Sequence, residues 1–143
     1  MLLKNYLKDR ITVAEKVDSW EQSIRLASEK LLEDNCITKT YIDSMINNIV
    51  KNGPYVVIIP KVAIPHSRPE DGANDTAISL LKLNTPVKYP GDKEVMLVFI
   101  LAARDSNSHI GLIEDLVDIL QNKDTLEKVM ESQTIDEIKN VLL

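Results

Sequence analysis

The chain has 143 residues, of which 44% are apolar and 27% charged, and its formal net charge at pH 7 is −5. This size and balance are typical of a single globular domain, here spanning residues 1–143. The acidic balance argues against nucleic-acid binding, which usually requires a basic face. The one cysteine, Cys36, rules out an intrachain disulfide and fits a reducing compartment. The chain shows neither a signal peptide nor a run long enough to cross a bilayer, so we expect a cytoplasmic protein.

The first part of the chain predicts one strand and two helices. Residues 1–10 predict a short helix or an irregular arm, and the alternation of residues 11–17 predicts a short strand. Apolar residues at helical spacing then predict two helices, the first capped by Ser19 and the second by Thr38 or Thr40. A Gly-Pro pair ends the second helix, and the apolar faces of both helices are expected to belong to the core.

The middle of the chain predicts three strands. Residues 56–64 are rich in β-branched side chains and predict a buried strand that stops abruptly at Pro65. Residues 75–83 alternate and predict a second strand, and residues 84–92 carry turn signals that predict a loop. Residues 94–103 form the most apolar run in the chain, which predicts a central strand covered on both faces.

Three helices are predicted for the remainder of the chain. Several capping residues between positions 105 and 108 precede the first of them. The pairs Asp124 with Glu127 and Thr134 with Glu137 mark the starts of the other two. The resulting order, β-α-α-β-β-β-α-α-α, predicts an α/β fold, a three-layer α/β/α sandwich in which helices flank the sheet.

One of the two histidines, His66, follows directly after Pro65. Proline has no N–H and a fixed φ, so it stops the strand and stiffens the backbone before the imidazole. An imidazole at a strand end can act as a base, as a metal ligand or as a covalent carrier of phosphate. The ordinary alternative is a loop histidine without a chemical role.

The second histidine, His109, falls in the first turn of the helix that follows the central strand. Backbone N–H groups there favour an anion. If the strands before His66 and His109 are parallel neighbours, both rings meet at one edge of the sheet. Arg68 has a fork of donors that suits a phosphoryl group. Its alternative role is that of a solvated arginine paired with Glu70 or Asp71, which are expected to form a solvated acidic turn.

The motif Ala63-Ile-Pro-His66, together with the second histidine His109, resembles a known family. It is similar to the enzyme IIA domains of the mannitol/fructose class in the bacterial sugar phosphotransferase system. The likeness extends over nearly the whole chain. Residues 53–60 and 65–72 look most like the ascorbate-type members, which points to an ascorbate-like or pentitol-like sugar as the transported compound.

This resemblance implies a phosphoryl carrier. His66 would accept a phosphoryl group from the phosphocarrier protein HPr and pass it to a cysteine of an enzyme IIB, which serves the membrane transporter, enzyme IIC. His109 would help to bind the phosphoryl group and to orient His66. The family fold is a mixed sheet between helical layers, and the family uses no metal or organic cofactor.

Two positions depart from the family pattern. Mannitol-type members carry an arginine in the second helix near the phosphohistidine, whereas this chain has no arginine in residues 45–51. We therefore expect Arg68 to supply the positive charge. Ser67 stands where glycine is common, and its hydroxyl is expected either to bond the phosphoryl oxygens or to fit the turn.

The chemistry of phosphoryl transfer adds one geometric expectation. The reacting nitrogen of His66 must be unprotonated, so its other ring nitrogen should donate a hydrogen bond to a backbone carbonyl or a similar acceptor. Two other functions remain open, a regulatory phosphoacceptor module that signals by binding a protein and a metal hydrolase with two histidine ligands. The chain has only two histidines and one cysteine, which disfavours the hydrolase.

Overall fold

The computed structural model describes residues 2–143, which form a mixed five-stranded sheet with helices on both faces. The strands are β1 (Ile11–Ala14), β2 (Val57–Ile59), β3 (Lys61–Ala63), β4 (Ala77–Tyr89) and β5 (Lys93–Ala102). The helices are α1 (Leu2–Leu7), α2 (Trp20–Glu33), α3 (Lys39–Asn52), α4 (Ser106–Leu120), α5 (Lys123–Glu131) and α6 (Ile135–Leu142). Two short 3₁₀ turns, Pro69–Asp71 and Pro90–Asp92, lie between strands.

The strand order in the sheet is β1-β4-β5-β3-β2. The strand β5 pairs antiparallel with β4 and parallel with β3, while β1 is parallel to β4 and β2 is antiparallel to β3. The carboxyl ends of β3 and β5 therefore lie at the same edge of the sheet. These are the two strands that precede the histidines, so the predicted neighbourhood is confirmed.

The two faces of the sheet bury two separate apolar clusters. One cluster joins the sheet to α2 and α3, and the other joins it to α1, α4, α5 and α6. Along β4 the side chains alternate between the clusters: Leu81 and Leu83 face α2 and α3, while Ile78 and Leu80 face the other layer. The predicted three-layer α/β/α sandwich is confirmed.

Side-chain caps fix where several helices begin. Ser19 caps α2, Thr38 caps α3 and Thr134 caps α6, as the sequence predicts. For α5 the predicted cap, Asp124, is wrong. Asn122 caps this helix instead, because its side-chain oxygen accepts a hydrogen bond from the N–H of Thr125, the third residue of the helix.

Two strand predictions are corrected by the pairing of the sheet. Residues 84–89 are not part of a loop, because β4 continues to Tyr89 and stays paired with β5 up to the contact between Tyr89 and Lys93. Residues 90–92 do form the predicted turn, a 3₁₀ turn that joins β4 to β5, and the ladder before them shifts register between Lys82 and Val87.

The segment 56–64 is two antiparallel strands, not one buried strand. The chain reverses between β2 and β3 at Lys61, whose φ of 70° lies in the left-handed region. Because β2 lies at the edge of the sheet, its side chains are half-buried or exposed.

Helices long and apolar enough to cross a membrane are absent from residues 2–143.

Candidate functional site

The backbone around His66 is held against the central strand. After β3 ends, the carbonyl of Pro65 accepts a hydrogen bond of 3.2 Å from the N–H of Leu101 in β5. His66 itself forms an isolated parallel bridge with Leu101. The prolyl residue cannot donate to a ladder, so regular pairing stops here and the half-buried imidazole is left at the strand end.

One nitrogen of the His66 ring has a fixed partner. Its Nδ1 lies 2.8 Å from the carbonyl oxygen of Ile64. A carbonyl oxygen can only accept, so Nδ1 carries the proton in the neutral ring and Nε2 keeps a free lone pair. The contact that the sequence predicts for the non-reacting nitrogen is therefore present in the structure.

His109 reaches the same edge from the start of α4. Asp105 caps this helix, and its carboxylate accepts a hydrogen bond of 2.7 Å from the N–H of Ser108. The ring centroids of His66 and His109 are 5.3 Å apart, and the rings meet edge to face at 61°. The structure thus brings together the two histidines that the sequence singles out.

The protonation of His109 is shifted towards the neutral form. Burial lowers the pKa of His109, and the neighbouring ring of His66 lowers it further. A neutral imidazole has one N–H donor and one acceptor nitrogen. At neutral pH His109 can therefore donate a hydrogen bond to an anion without adding a full charge to the site.

The two rings line an open cleft of about 390 Å³. Four parts of the fold form its walls: the second half of α3, the turn between α3 and β2, the loop after β3 and the start of α4. The lining residues are Asn48, Tyr55, His66, Ser67, Arg68, Pro69, Ser106, His109 and Ile110. The four residues proposed from the sequence all line this cleft, although their side chains make different kinds of contact. They are His66, Ser67, Arg68 and His109.

The hydroxyl of Ser67 is engaged within the protein. Ser67 is buried, and its hydroxyl donates to the carboxylate of Asp71 at 2.5 Å while it accepts from the amide nitrogen of Asn48 at 3.3 Å. Its single proton is therefore committed to Asp71. Of the two roles expected for Ser67, these contacts support the one in which it fits the turn.

Asp71 is not the solvated residue that the sequence suggests. Its carboxylate accepts from the Ser67 hydroxyl and from the N–H of Arg68 at 3.2 Å, and it also contacts the Arg68 guanidinium at 3.3 Å. The hydrogen bond from Ser67 is the main cause that lowers the pKa of Asp71. An ionised Asp71 therefore ties together the turn that follows His66.

Arg68 lines the cleft from an exposed position. Its side chain is 74% exposed, and its guanidinium contacts Asp71 at 3.3 Å and Glu70 at 3.5 Å. These ion pairs are the alternative that the sequence analysis left open. Because exposed ion pairs are weak, they leave the guanidinium able to turn towards an anion in the cleft.

The sequence does not assign six contributors to the site: Tyr41, Asn48, Tyr55, Pro69, Ser106 and Ile110. Tyr41 lies on the apolar face of α3, which the sequence assigns to the core, and its buried hydroxyl contacts the backbone of Ser67. A signal for Asn48 existed, because it lies seven residues after Tyr41 and therefore on the same buried face of α3. A polar residue on such a face needs a partner, and here the partner is Ser67.

Within residues 2–143 no group of three or more His, Cys, Asp or Glu side chains is placed to hold a metal ion.

Residues 5–143 match the family described as "Phosphoenolpyruvate-dependent sugar phosphotransferase system, EIIA 2". The chain belongs to this family. The fold and the resemblance predicted from the sequence agree with this assignment, which makes the protein an EIIA component of a sugar phosphotransferase system.

Known members of the family match over almost the whole chain. The solution structure of the mannitol-specific cryptic phosphotransferase enzyme IIA from Escherichia coli has a TM-score of 0.94 and 33% identity, covering 99% of this chain and 98% of that one. The ascorbate-specific EIIA component of E. coli K12 is 24% identical, over 92% of this chain and 88% of the relative. Ascorbate-type EIIA components are thus among the matches, at lower identity than the cryptic mannitol-type enzyme.

A further solved structure is the E. coli complex of mannitol enzyme IIA with phosphorylated enzyme IIB. It matches with a TM-score of 0.81 and 23% identity, covering 94% of both chains. At this identity the likeness shows the fold alone.

Proposed function

We propose that this EIIA protein is a cytoplasmic phosphoryl carrier with His66 as the phosphorylated residue. It would take the phosphoryl group from phospho-HPr and pass it to a cysteine of an enzyme IIB, which serves a membrane enzyme IIC in sugar uptake. The observation that carries this proposal is the His66 ring, which lines an open cleft beside His109 with Nδ1 bound to the Ile64 carbonyl. Matches to mannitol-type and ascorbate-type relatives support a polyol or a sugar acid as the transported compound.

The transfer chemistry follows from the state of the ring. In the first step the Nε2 lone pair of His66 attacks phosphorus, and the bond between phosphorus and the donor breaks. The Ile64 carbonyl keeps the proton on Nδ1 and stabilises the positive charge that develops on the ring. In the second step the cysteine thiolate of enzyme IIB attacks phosphorus, and the electron pair of the P–N bond returns to Nε2.

Charge on the transferred group requires donors, because phosphoryl transfer depends mainly on positioning and electrostatic stabilisation. We assign this role to the N–H of His109 and to the guanidinium of Arg68, which both line the cleft. Ser67 contributes mainly by shaping the turn, because its hydroxyl proton is already donated to Asp71. A neutral His109 and a loosely held Arg68 bind a phosphoryl group without trapping it.

The surroundings of the cleft support protein partners. Large apolar side chains are exposed at its margin, including Tyr55 at 47%, Ile58 at 50% and Ile110 at 56%. An apolar groove of about 110 Å³ runs past His66 between β2 and α4. Exposed apolar surface of this kind marks protein–protein contact sites. The E. coli mannitol enzyme IIA, which shares this fold, has been solved with phosphorylated enzyme IIB bound, and we propose an enzyme IIB and HPr as successive partners of the present chain.

A reconstituted phosphorylation assay tests the proposal. The protein is incubated with phosphoenolpyruvate, enzyme I and HPr, and the phosphorylated residue is identified. We expect an acid-labile, base-stable phosphoryl group on the wild-type protein and none on His66→Ala. Normal loading of His66→Ala would show that another residue is the acceptor.

A further inference from the structure

Two hydrogen bonds to one residue of β5 frame His66. On its amino side, the carbonyl of Pro65 accepts from the N–H of Leu101 at 3.2 Å. On its carboxyl side, the N–H of Ser67 donates to the hydroxyl of Tyr41 at 3.0 Å, and this hydroxyl donates to the carbonyl of Leu101 at 2.6 Å. Leu101 therefore holds both neighbours of His66, one directly and one through Tyr41.

We propose that Tyr41 is a positioning residue for phosphoryl transfer, because its hydroxyl completes the bridge that sets the His66 ring relative to His109. The inference rests on the proposed function of His66. Tyr41 itself is fully buried and does not line the cleft, so its effect passes through the backbone.

The hydrogen-bond geometry assigns the single hydroxyl proton. The Tyr41 oxygen is 2.6 Å from the carbonyl of Leu101 and 3.2 Å from that of Ser67, so the shorter contact to Leu101 takes the proton. A lone pair remains to accept the N–H of Ser67. In a regular parallel ladder the N–H of Ser67 would donate directly to the carbonyl of Leu101. Here the Tyr41 hydroxyl stands between them and links the two groups.

The helix that carries Tyr41 is itself fixed to the loop after His66. At its start, the N–H of Thr38 donates to the carbonyl of Gly72 at 3.0 Å. Gly72 has a φ of 130°, and a Cβ at this position would lie 2.1 Å from the hydroxyl oxygen of Thr38. Glycine alone permits this approach, so α3 and the loop are held at a set distance.

The hydroxyl keeps its role over the working pH range. Burial raises the pKa of Tyr41 to about 12, so the group stays protonated and neutral wherever the protein is expected to act. The bridge also matters for the second ring, because β5 continues from Leu101 into α4, which carries His109. A misplacement of about 1 Å between reacting groups lowers a rate by as much as about 10²-fold.

The test compares two buried tyrosines. Tyr41→Phe removes only the relay hydroxyl. Tyr89→Phe is the matched control, because Tyr89 is also fully buried, its hydroxyl lies 2.7 Å from that of Ser23, and it sits at the opposite end of β4 from the cleft. For each variant, loading from phospho-HPr is measured as kcat and KM. NMR follows the amide exchange of Ser67 and the NOEs between the rings of His66 and His109. Thermal unfolding gives the melting temperature.

We expect Tyr41→Phe to lower kcat about tenfold or more with little change in KM. The Ser67 amide should exchange faster and the NOE between the two rings should weaken. Tyr89→Phe and Tyr41→Phe should lower the melting temperature by similar amounts, since each loses one buried hydroxyl. In Tyr89→Phe, however, the loading kinetics, the Ser67 amide exchange and the NOE between the rings should stay at wild-type values.

Wild-type kcat in Tyr41→Phe would overturn the inference, and so would an equal loss of kcat in Tyr89→Phe. A wild-type protein and a Tyr89→Phe variant that both fail to load His66 would instead overturn the proposed function, and the inference with it.

Discussion

The two sides of the cleft are built in different ways. On the His66 side, the ring is bound to Ile64, and the adjacent backbone is bound to Leu101 directly and through Tyr41. On the α4 side, His109 is placed by the capped start of a helix. Among residues 2–143, its ring has an edge contact with the His66 ring and makes no hydrogen bond.

This difference suits the roles we propose for the two rings. A nucleophile must be oriented before the phosphoryl group arrives, because catalysis by positioning depends on a preformed geometry. A stabilising donor must instead keep an unoccupied N–H for the oxygens of the transferred group. The His66 side is therefore preorganised, and the ring of His109 keeps an N–H that is free to bind the transferred group.

Removing the N–H donor of His109 should have the largest effect on phosphoryl transfer after the loss of His66 itself. In His109→Ala, we expect loading from phospho-HPr and transfer to enzyme IIB both to slow by about 10²-fold, because one stabilising donor is lost. His109→Gln retains an N–H and should fall between the alanine variant and the wild type. Rapid-quench kinetics provide the measurement, and wild-type rates in His109→Ala would contradict the assigned role.

Arg68 should have a smaller effect, because it is exposed and already paired with Glu70 and Asp71. We expect Arg68→Ala to slow loading by roughly threefold to tenfold at low salt, and less at high salt, since exposed charges are screened. Its melting temperature should stay unchanged. Arg104→Ala is the matched control, because Arg104 is also an exposed arginine beside a carboxylate but does not line the cleft. Equal losses in both variants would argue against a specific contact of Arg68.

The smallest effect concerns stability as a function of pH. The pKa of His109 in the folded protein is lower than its usual value, so the unfolded chain binds this proton more readily. The contribution of neutral His109 to the free energy of unfolding is therefore complete above about pH 6.5. This contribution falls as the pH decreases from there towards the lowered pKa of the folded protein. In urea titrations between pH 8 and pH 5, His109→Gln should lose less stability than the wild type. Identical pH slopes would refute the shifted protonation.

The meeting of the two histidines could be predicted from the sequence because each ring follows an apolar strand. Parallel neighbours place their carboxyl ends together, so the edge of the sheet was accessible to sequence reasoning. The helix caps Ser19, Thr38 and Thr134 were equally local, since each depends on residues within one turn.

The relay through Tyr41 could not be predicted in this way. A tyrosine at core spacing on a helix indicates burial, but the pattern does not show which groups its hydroxyl will bind. Its partners Ser67 and Leu101 are 26 and 60 residues away along the chain. The long strand β4 was missed for a related reason, because the turn signals of residues 84–92 are local whereas its pairing with β5 is not.

The roles of Ser67 and Asp71 depended on side-chain directions that spacing alone does not give. Both follow His66 closely, and either could have faced the cleft. In the fold the Ser67 hydroxyl turns to Asp71, which leaves the guanidinium of Arg68 and the ring of His109 as the proposed donors.

The most direct test of the account is to locate the phosphoryl group on the His66 ring. The protein, labelled with ¹⁵N in its histidines, is loaded from phospho-HPr and studied by ³¹P and ¹⁵N NMR at alkaline pH. Because Nδ1 is held by the Ile64 carbonyl, we predict one phosphoryl group, bonded to Nε2 of His66, that is lost when enzyme IIB is added. A phosphoryl group on Nδ1, or on any residue other than His66, would contradict the account.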